Sequence, residues 1–562
     1  MKYVPPAVIG LTAAMLLPAA LAQSAPDAGN LLREIERQAS PRTESNPLPQ
    51  ATTPTGPREG SGPRVTVRSF QLVGVKLLPE TDVQQALAPW VGQAATFDDL
   101  RRAADAVAEL YRRRGFLVRA YLPDQDVREG RVTLAVLEGR LAAVRIERAA
   151  GSTHVGDEQV QGYMTARQQV GAPVRPDDLQ RAVSLLNELP GVTASSMLEP
   201  GEREGESRLV VSVRDKPRFS GFAQLDNTGS KATGEVRATL GLQANSPLSI
   251  GDQLQLVLNK SRDAAFGNLL YGLPLGHDGL RLQANALRLD YGYTLNGTRY
   301  TGSADALGLA LQYPLLRTAT SNANVGLAHE RKGFENRVAG IGLSDKTLRI
   351  TTATLGGDRL DEWLGGGLLQ YGLAWSEGRL DLAGNASDLA ADQLANGPRR
   401  QGHYRKVTAS LGRLQRLTPA DTLAVLGSAQ WASRNLDSAE KFLATGPYAV
   451  RAYAGSEPGG DDGGLVSFEW RRQFGDTVTT TVFHDRAYLK RDHDVNVASL
   501  SPNGYRLAGS GVSVSAGRAS TLLLRASVAW RHGGNPVHDP LGRDADGTRR
   551  NPRVFVSLVK TF

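Results

Sequence analysis

GLRLQANALRLDYGY, residues 279–293, alternates apolar side chains with polar or small ones over most of its length. GDQLQLVLNK, residues 251–260, alternates in the same way, with leucines set against glutamines and an asparagine. In ALGLALQYP, residues 306–314, the large side chains share one face, namely Leu307, Leu309, Leu311 and Tyr313. Because successive side chains of a β-strand point to opposite faces, these stretches predict strands with one apolar face.

The segment 217–562 contains many such stretches, separated by turns rich in Gly, Asn and Asp, and it closes on Phe562. Alternating segments of about ten residues are typical of a membrane β-barrel. At roughly 20 residues per strand and connection, the segment predicts about 16 antiparallel strands. The alternative is a soluble all-β protein, which should show a regular repeat motif, and the segment contains none.

Length and composition set outer limits on the function. The chain has 562 residues, more than one ordinary core, and a formal net charge of +8 that is spread along the sequence. A nucleic-acid partner is not expected, because no concentrated basic stripe with interleaved aromatic residues is present. The chain contains no Cys, which excludes disulfides and thiolate metal sites.

The N-terminal residues 1–22 predict a secretory signal peptide. They combine a charged start, a short apolar middle and a small-x-small site at Ala20-Leu21-Ala22. A transmembrane anchor is the alternative, but the apolar run is shorter than the ~18 residues that a spanning helix needs. Export without a spanning helix leaves a barrel as the form in which the mature chain could enter a membrane.

Residues 23–40 predict a short amphipathic helix, followed by a linker over residues 41–64. Asn30 is a candidate cap, and the apolar positions recur at helical spacing, namely Leu31, Leu32, Ile35 and Ala39. The linker is rich in Pro, Ser, Thr and Gly and has almost nothing to bury, which predicts an extended segment. The helix is either functional or a frayed N-terminal segment without a role.

Residues 65–141 and 142–216 predict two copies of one α+β unit with the order β-α-α-β-β. In the first copy VTVRSFQLVGV reads as a strand, and Thr96 precedes a helix that Gly115 ends. In the second copy RPDDLQRAVSLLNELPG reads as a helix and SRLVVSVRD as a strand. Units of this kind can serve as docking modules, since an exposed sheet edge can pair with an extended peptide.

Longer motifs give the chain a resemblance to a known family. These are LYRRRGFLVRAYLPDQDVREGRVTLAVLEGRL (110–141), LLNELPGVTASSMLEPGEREGESRLVVSV (185–213) and LDNTGSKATGEVRATLGL (225–242). In this order they resemble the transporters of two-partner secretion, the TpsB or ShlB-FhaC-HecB haemolysin secretion/activation family. That family belongs to the POTRA-plus-barrel outer-membrane superfamily, and the resemblance covers essentially the whole mature chain.

The resemblance implies a plug helix, two periplasmic POTRA domains and a 16-stranded barrel in the cell outer membrane. It also implies that the POTRA domains recognise an exported partner and that the barrel translocates it to the surface. Expected partners are a secreted adhesin, haemolysin or toxin, outer-membrane lipid, and the barrel-assembly machinery during biogenesis. The implied docking residues of the first POTRA domain are Tyr121, Leu122, Pro123, Gln125, Glu138 and Gly139.

In this family a long extracellular loop folds back into the barrel, and here it is expected around residues 441–464. Its tip is Val450-Arg451-Ala452-Tyr453, and the matching wall motif FHDRA places Phe483 and Asp485 opposite it. A guanidinium fits a carboxylate bidentately, so the resemblance implies that Arg451 and Asp485 form a latch. The other reading is that both are ordinary lumen charges.

Three positions depart from the family pattern. The tip and the wall carry Ala452 and Ala487 where the family has Gly, and a positive φ at Ala452 would be strained. Lys560 stands where the terminal strand usually presents an apolar residue, and it could snorkel at the membrane edge. The segment 375–406 reads either as an ordered surface loop or as a disordered one.

Catalytic motifs are absent from the sequence: it contains no His-Glu-x-x-His, no Walker loop and no Gly-x-Ser-x-Gly. No catalytic residue, cofactor or metal is therefore expected, and the chain is not predicted to be an enzyme. Residues 483–494 crowd two histidines and three aspartates, but a solvated strand end explains them better than a metal site. An insertase for other barrels and a passive porin are the alternative functions.

Overall fold

The computed structural model describes residues 27–39 and 64–562, except 128, 150, 152, 153, 296, 497 and 498. The predicted signal peptide (1–22) and the linker (41–64) lie outside the described residues, apart from Arg64. None of the helices within the described part of the chain is long and apolar enough to cross a membrane.

Helix α1 covers Ala28–Ala39. Its first turn is capped by Asp27, whose carboxylate accepts a hydrogen bond from the backbone N–H of Asn30 at 2.8 Å. The prediction that Asn30 is the cap was wrong, because Asn30 already lies inside the first turn and the orphan N–H groups there need an acceptor that precedes them.

The first α+β unit contains the predicted order of elements, confirming its fold. Its apolar core packs both helices on one face of a three-stranded sheet, whose order is β2 (Ser69–Val73), β5 (Arg131–Glu138), β4 (Val118–Tyr121) and in which β2 runs parallel to β5. Thr96 forms a capping box with Asp99, and Arg114 and Gly115 end the helix that follows, Gly115 with a φ of +84°. The elements are β1 (Val65–Thr66), β2 (Ser69–Val73), α2 (Glu80–Leu87), β3 (Ala94–Ala95), α3 (Phe97–Arg113), β4 (Val118–Tyr121) and β5 (Arg131–Glu138).

One strand of this unit differs from the prediction. VTVRSFQLVGV forms two short strands, β1 and β2, instead of one. Strand β1 pairs with β3, whereas β2 joins the main sheet. The sequence does contain a signal for this break, because the inward apolar positions Val65 and Val67 are followed by Phe70 and Leu72, a spacing of three that shifts the alternation.

The second unit repeats the arrangement with a sheet whose order is β6 (Arg140–Arg148), β8 (Glu206–Asp215), β7 (Val192–Pro200). Leu141 is fully buried in the core of this second unit, and its first strand begins at Arg140. The fold of the second unit therefore begins two residues before the predicted boundary at 142. Its elements are β6 (Arg140–Arg148), α4 (Asp157–Thr165), α5 (Pro176–Glu188), β7 (Val192–Pro200) and β8 (Glu206–Asp215).

Sixteen antiparallel strands close into a barrel, which confirms the predicted fold. Its first eight strands are β9 (Phe219–Asp226), β10 (Arg237–Asn245), β11 (Gln253–Ser261), β12 (Ala264–Leu275), β13 (Leu280–Leu295), β14 (Thr298–Arg317), β15 (Ser321–Val338) and β16 (Ile341–Asp361). The remaining strands are β17 (Gly367–Asp381), β18 (Gly402–Arg416), β19 (Asp421–Ala432), β20 (Asp462–Phe474), β21 (Val478–Lys490), β22 (Gly504–Arg518), β23 (Leu522–Arg531) and β24 (Arg553–Thr561).

The alternation of side chains separates the lumen from the outer surface. On β14, Leu307 is 64% exposed on the outside, whereas Ala304 and Ala306 are buried inside. On β24, Lys560 is exposed on the same face as Val556 and Leu558, as expected for a strand whose outer face meets lipid.

The barrel closes where β24 pairs with β9. The backbone register joins five residue pairs, from Ser557↔Asp226 to Thr561↔Phe222. The amide of Asn227 extends this seam: it accepts from the N–H of Val556 at 2.7 Å and donates to the carbonyl oxygen of Val554 at 3.1 Å. At the other end, the N–H groups and carbonyl oxygens of Gly221 and Phe562 pair reciprocally at 2.8 and 3.0 Å.

The second α+β unit is joined to the barrel by a polar contact at Asp278, in the turn between β12 and β13. Arg167 donates to both of its carboxylate oxygens at 2.9 and 2.8 Å, and Arg181 and Tyr313 donate at 3.0 and 2.6 Å. Burial alone would raise the pKa of Asp278, but these hydrogen bonds outweigh it and lower the pKa to about 2. The contact fixes which end of the barrel carries the α+β units.

The segment 375–406 is ordered. It consists of the end of β17, a connection containing α6 (Ala386–Gln393), and the start of β18. Asp392 is buried, and its carboxylate accepts from the backbone N–H groups of Arg400 and Gln401 at 3.0 Å each. These hydrogen bonds hold the connection in one conformation, so the structure favours the ordered alternative for 375–406 over the disordered one.

Candidate functional site

The connection between β19 and β20, residues 433–461, folds into the barrel. Its two limbs pair at Phe442 and Gly460, with backbone hydrogen bonds of 2.7 and 3.0 Å. The tip is buried against the inner face of β21 to β23. The expected range of 441–464 extends too far, because Asp462, Gly463 and Gly464 already belong to strand β20.

Arg451 and Asp485 meet inside the barrel. The guanidinium donates from Nε to Oδ2 at 2.8 Å and from NH2 to Oδ1 at 2.7 Å, and the backbone N–H of Arg451 donates to Oδ2 at 3.1 Å. The side chains are only 6% and 0% exposed. A bidentate pair shielded from water holds one geometry, and removing either partner leaves a buried charge unpaired.

Two further wall residues complete the receptor for Arg451, and sequence reasoning missed both. Ser467 lies between the pair, accepting from Arg451 at 3.0 Å and donating to Asp485 at 2.7 Å. Glu469 is a second carboxylate, 3.0 Å from the guanidinium, and Arg471 balances it at 2.7 Å. The stretch FEWRR could have identified Glu469, because it places an acidic residue at an inward position of the strand that precedes the wall motif.

The tip motif packs closely against the wall on both sides of the arginine. Val450 and Tyr453 are buried, and Phe483 lies under the guanidinium. Ala452 is not among the residues with a positive φ, so the expected strain does not arise. Its methyl group instead faces Gly509, where an added Cβ would lie 2.5 Å from the Cβ of Ala452. Because the wall residue is a glycine, the methyl group of Ala452 fits at a place where the family has its glycine at the tip instead.

Helix α1 lies in the same lumen. Leu31 and Leu32 are buried among inward aromatic and aliphatic side chains of the barrel wall, and Ile35 packs at the edge of that cluster. Tyr291, Tyr293 and Phe334 belong to this wall. The apolar stripe of the helix therefore packs against the inner wall of the barrel and against Leu436 and Ala439 of the loop.

Polar contacts fix both ends of α1. At the first turn, the N–H of Ala28 donates to Asn336 at 2.9 Å, and Ser438 donates to the Asp27 carboxylate at 2.8 Å. Further along, Glu36 forms an ion pair with the buried Lys332 at 2.8 Å. The wall and the connection 433–461 thus both hold the helix.

Arg37 links the helix directly to the inward-folded loop. Its guanidinium donates to the carbonyl oxygen of Leu443 at 2.8 Å and also to that of Thr445. Both acceptors lie on the limb that leads to the Arg451 tip. The helix and the loop therefore form one packed unit within the lumen.

The residues expected to dock a partner lie in the first α+β unit, at the end of β4, in the connection that follows it, and at the end of β5. Gln125 is occupied internally, since it exchanges hydrogen bonds with the backbone of Thr133 at 2.7 and 2.5 Å. Glu138 accepts from the N–H groups of Lys76 and Leu77 at 2.7 Å each and from the Tyr111 hydroxyl at 3.0 Å. The N–H of Gly139 donates to the Leu117 carbonyl oxygen at 3.1 Å. All six residues are partly exposed, and within the described residues the side chains of Tyr121, Leu122 and Pro123 make no such internal hydrogen bond.

The histidines and aspartates after the wall motif are spread over separate contacts. His484 faces away from Asp485 and contacts Ser510 at 2.8 Å, while His493 contacts Asp462 at 2.8 Å. Within the described residues, no group of three or more His, Asp or Glu side chains is arranged to hold a metal ion.

A closed barrel that holds a helix and a loop in its lumen and carries two α+β units at one end defines a POTRA-plus-barrel transporter of the outer membrane. Two family models match the chain. One describes the haemolysin secretion/activation protein ShlB/FhaC/HecB and matches residues 205–515, and the other describes a ShlB-type POTRA domain and matches residues 65–139. The chain belongs to the ShlB/FhaC/HecB haemolysin secretion/activation family.

Curated relatives cover nearly the whole chain. The chain is 23% identical to the heme/hemopexin transporter protein HuxB of Haemophilus influenzae, over 96% of each protein. It is 26% identical to the outer membrane transporter CdiB of Escherichia coli, over 90% of this chain and 86% of that protein. The solved structure of CdiB from Escherichia coli has the same fold, with a TM-score of 0.73, 20% identity, and coverage of 97% of this chain and 100% of that one.

These matches confirm the function predicted from the sequence. The protein is an outer-membrane two-partner secretion transporter, with its POTRA domains in the periplasm. The family is one of secretion channels, and neither the insertase nor the porin alternative is favoured.

Proposed function

We propose that the described structure is the resting state of the transporter, in which α1 is a plug and the loop 433–461 a second obstruction. The observation that carries this proposal is the burial of Leu31 and Leu32 against the inner wall, together with the contact from Arg37 to the loop. Transport would require α1 to leave the lumen. The linker at 41–64 would give it the reach to do so.

The Arg451–Asp485 pair would act as a latch that holds the loop in its inward position. Ser467, Glu469 and Phe483 make the inward site specific for a guanidinium, since they supply an acceptor, a second negative charge and an aromatic face. Arg451 would therefore hold the loop in place and would take no part in a chemical reaction. Loss of the latch should impair secretion more than barrel assembly.

The POTRA domains would recognise the partner by pairing with an extended segment of it. Strands β4 and β7 lie at sheet edges, and an exposed edge offers unpaired N–H and C=O groups. Tyr121, Leu122 and Pro123 lie at the end of β4 and would contact the segment. Gln125, Glu138 and Gly139 would position that edge by holding the sheet together.

The cargo would be an exported protein in an unfolded form, such as an adhesin, a haemolysin, a toxin or a haem-binding protein. HuxB is named a heme/hemopexin transporter, which supports the last of these. Vectorial folding of the cargo outside the cell would drive transport, because neither ATP nor a proton gradient is available at the outer membrane. Outer-membrane lipid and the barrel-assembly machinery would be partners during insertion.

A two-gene reconstitution tests the proposal. The chain is expressed with the large exported protein encoded beside its gene, and the partner is measured in the medium and in the periplasm. Four forms are compared with the unaltered chain: deletion of 65–215, deletion of 27–39, Arg451→Ala, and the control Arg506→Ala on the exposed outer face of β22. Heat-dependent gel migration reports whether each barrel has assembled.

The proposal predicts that the deletion of 65–215 and Arg451→Ala abolish or cripple secretion in assembled barrels, while Arg506→Ala secretes normally. Deletion of 27–39 should open the pore to small solutes. Retention of the partner in the periplasm by the unaltered chain would mean that the partner is wrongly assigned. Normal secretion by assembled Arg451→Ala would exclude the latch.

A further inference from the structure

Three arginines form a row across the outer surface of the barrel. Arg331 on β15 lies directly opposite Arg349 on β16, and Arg349 lies directly opposite Arg379 on β17. All three side chains are exposed, whereas the neighbours that alternate with them, Leu348, Ile350 and Leu380, are buried in the lumen wall. The row therefore faces out of the barrel.

Directly opposed residues of antiparallel strands have Cβ atoms roughly 5 Å apart, and like charges placed there destabilise the sheet. Three such residues in line accumulate this repulsion. The arrangement is thus costly to the protein alone unless a negative charge lies against it.

No carboxylate of the described residues lies within ion-pair distance of the three arginines, although Glu377 and Asp381 lie on the same face of β17 as Arg379. Arg331, Arg349 and Arg379 form neither an ion pair nor a side-chain hydrogen bond within the part of the chain that the structure describes. Other exposed arginines of the same outer surface do have carboxylate partners, at 2.7, 2.5 and 3.3 Å, namely Arg288 with Asp290, Arg337 with Glu335, and Arg405 with Glu377.

The row lies just beyond the apolar band of the outer surface. On β17 the outward residues progress from Tyr371, Leu373 and Trp375, each more than a third exposed, through Glu377 to Arg379. Aromatic residues mark the membrane interface of a barrel. The POTRA domains lie at the opposite end of the strands, so the row lies on the side of the outer leaflet.

We infer that Arg331, Arg349 and Arg379 bind the phosphate groups of a phosphorylated glycolipid in the outer leaflet. Planar guanidinium groups pair bidentately with phosphate oxygens. Neighbouring strands are about 4.8 Å apart, so the row spans roughly 10 Å and can contact more than one phosphate of a headgroup. The apolar outer face next to it, with Leu327 and Leu355, would contact the acyl chains.

Binding of lipopolysaccharide to the purified full-length protein in detergent tests the inference. Bound lipid is quantified by native mass spectrometry and by titration. The ligands are lipopolysaccharide, enzymatically dephosphorylated lipopolysaccharide and inorganic phosphate. The variant Arg331→Gln/Arg349→Gln/Arg379→Gln is compared with a matched control that removes three paired arginines of the same surface, Arg288→Gln/Arg337→Gln/Arg405→Gln.

The expected result is that the unaltered protein and the control bind lipopolysaccharide alike, while the variant binds it on the order of 100-fold more weakly. The unaltered protein should show the same loss with the dephosphorylated ligand. Equal binding by variant and control overturns the inference. Competition by inorganic phosphate at the affinity of the lipid would show a simple anion site and would also overturn it. If the triple variant does not assemble, the inference is tested by lipopolysaccharide binding to Arg349→Gln and by binding of the dephosphorylated ligand to the unaltered protein. Undiminished binding in both measurements overturns it.

Discussion

The guanidinium carbon of Arg451 lies 3.4 Å from the centre of the Phe483 ring. The aromatic face thus closes the side of the arginine that no carboxylate covers, and it excludes water from the pair with Asp485. This stacking makes Phe483 part of the loop-holding site in its own right.

Phe483→Leu removes the aromatic face but keeps an apolar side chain. Since a desolvated cation–π contact contributes about 2 kcal/mol, we expect the loop 433–461 to leave its inward position more often. Limited proteolysis of the solubilised barrel should cleave this loop more than tenfold faster. Phe468→Leu, which alters an outward residue of the adjacent strand that is 44% exposed, is the control. Equal cleavage of the two variants would show that the stacking does not hold the loop.

Gly509→Ala places a methyl group against Ala452. Because the added Cβ would lie 2.5 Å from that of Ala452, the tip cannot keep its position, and secretion should fall severalfold. Adding Ala452→Gly on the same chain should restore much of it, by moving the methyl group from the tip to the wall. A double variant as defective as Gly509→Ala alone would mean that the Trp530 carbonyl, 3.1 Å from the same Cβ, is the obstacle.

Arg37→Ala removes the hydrogen bonds that the Arg37 guanidinium donates to the carbonyl oxygens of Leu443 and Thr445 on the loop. A hydrogen bond from a charged donor contributes about 1.5–3 kcal/mol, so the helix should leave the lumen at least tenfold more often. Single-channel recording in planar bilayers would detect the change as a higher fraction of open time. Arg506→Ala on the exposed outer face of β22, which removes an arginine outside the lumen, is the control. Unchanged channel opening would show that the contact between Arg37 and the loop does not retain the helix in the lumen.

The contact at Asp278 predicts a particular pH dependence. Its pKa is lowered to about 2, from about 4 in an unfolded chain, so its contribution to stability is present above about pH 4 and is lost as the pH falls toward 2. The distance between POTRA 2 and the barrel should therefore stay constant from pH 7 to pH 4 and widen below pH 3. Asp278→Asn should widen it already at pH 7.

The chain contains no Cys, so spin labels at Gln180→Cys and Thr320→Cys can report this distance. Asp290→Asn, which removes a carboxylate from a paired arginine on the outer surface, is the control and should leave the distance unchanged. A joint that opens between pH 7 and pH 5 would show that another group with a higher pKa controls it.

The sequence predicted those features that depend on a local period or on the order of motifs. Two-residue alternation indicated a barrel, the length of the segment predicted about 16 strands, and caps such as Thr96 located the helices of the repeats. The tip and wall motifs, taken with the family resemblance, placed Arg451 beside Asp485.

What the sequence did not reveal depends on register between distant segments. Ser467 and Glu469 reach the latch because β20 pairs with β21 in one register, with Ser467 opposite Asp485 and Glu469 opposite Phe483. Arg37 meets acceptors 406 and 408 residues away. A one-residue slip would turn each wall side chain outward, and no local pattern fixes which register the barrel adopts.

The seam between β24 and β9 has a consequence for the time course of biogenesis. Its hydrogen bonds join β9 to β24 and Phe562, so closure pairs the two barrel strands that are farthest apart in sequence and follows the placement of the strands between them. Until then both edge strands present unpaired N–H and C=O groups, which attract other strands. A barrel that lacks β24 would keep those edges open, so the state of this seam would distinguish closed barrels from incomplete ones.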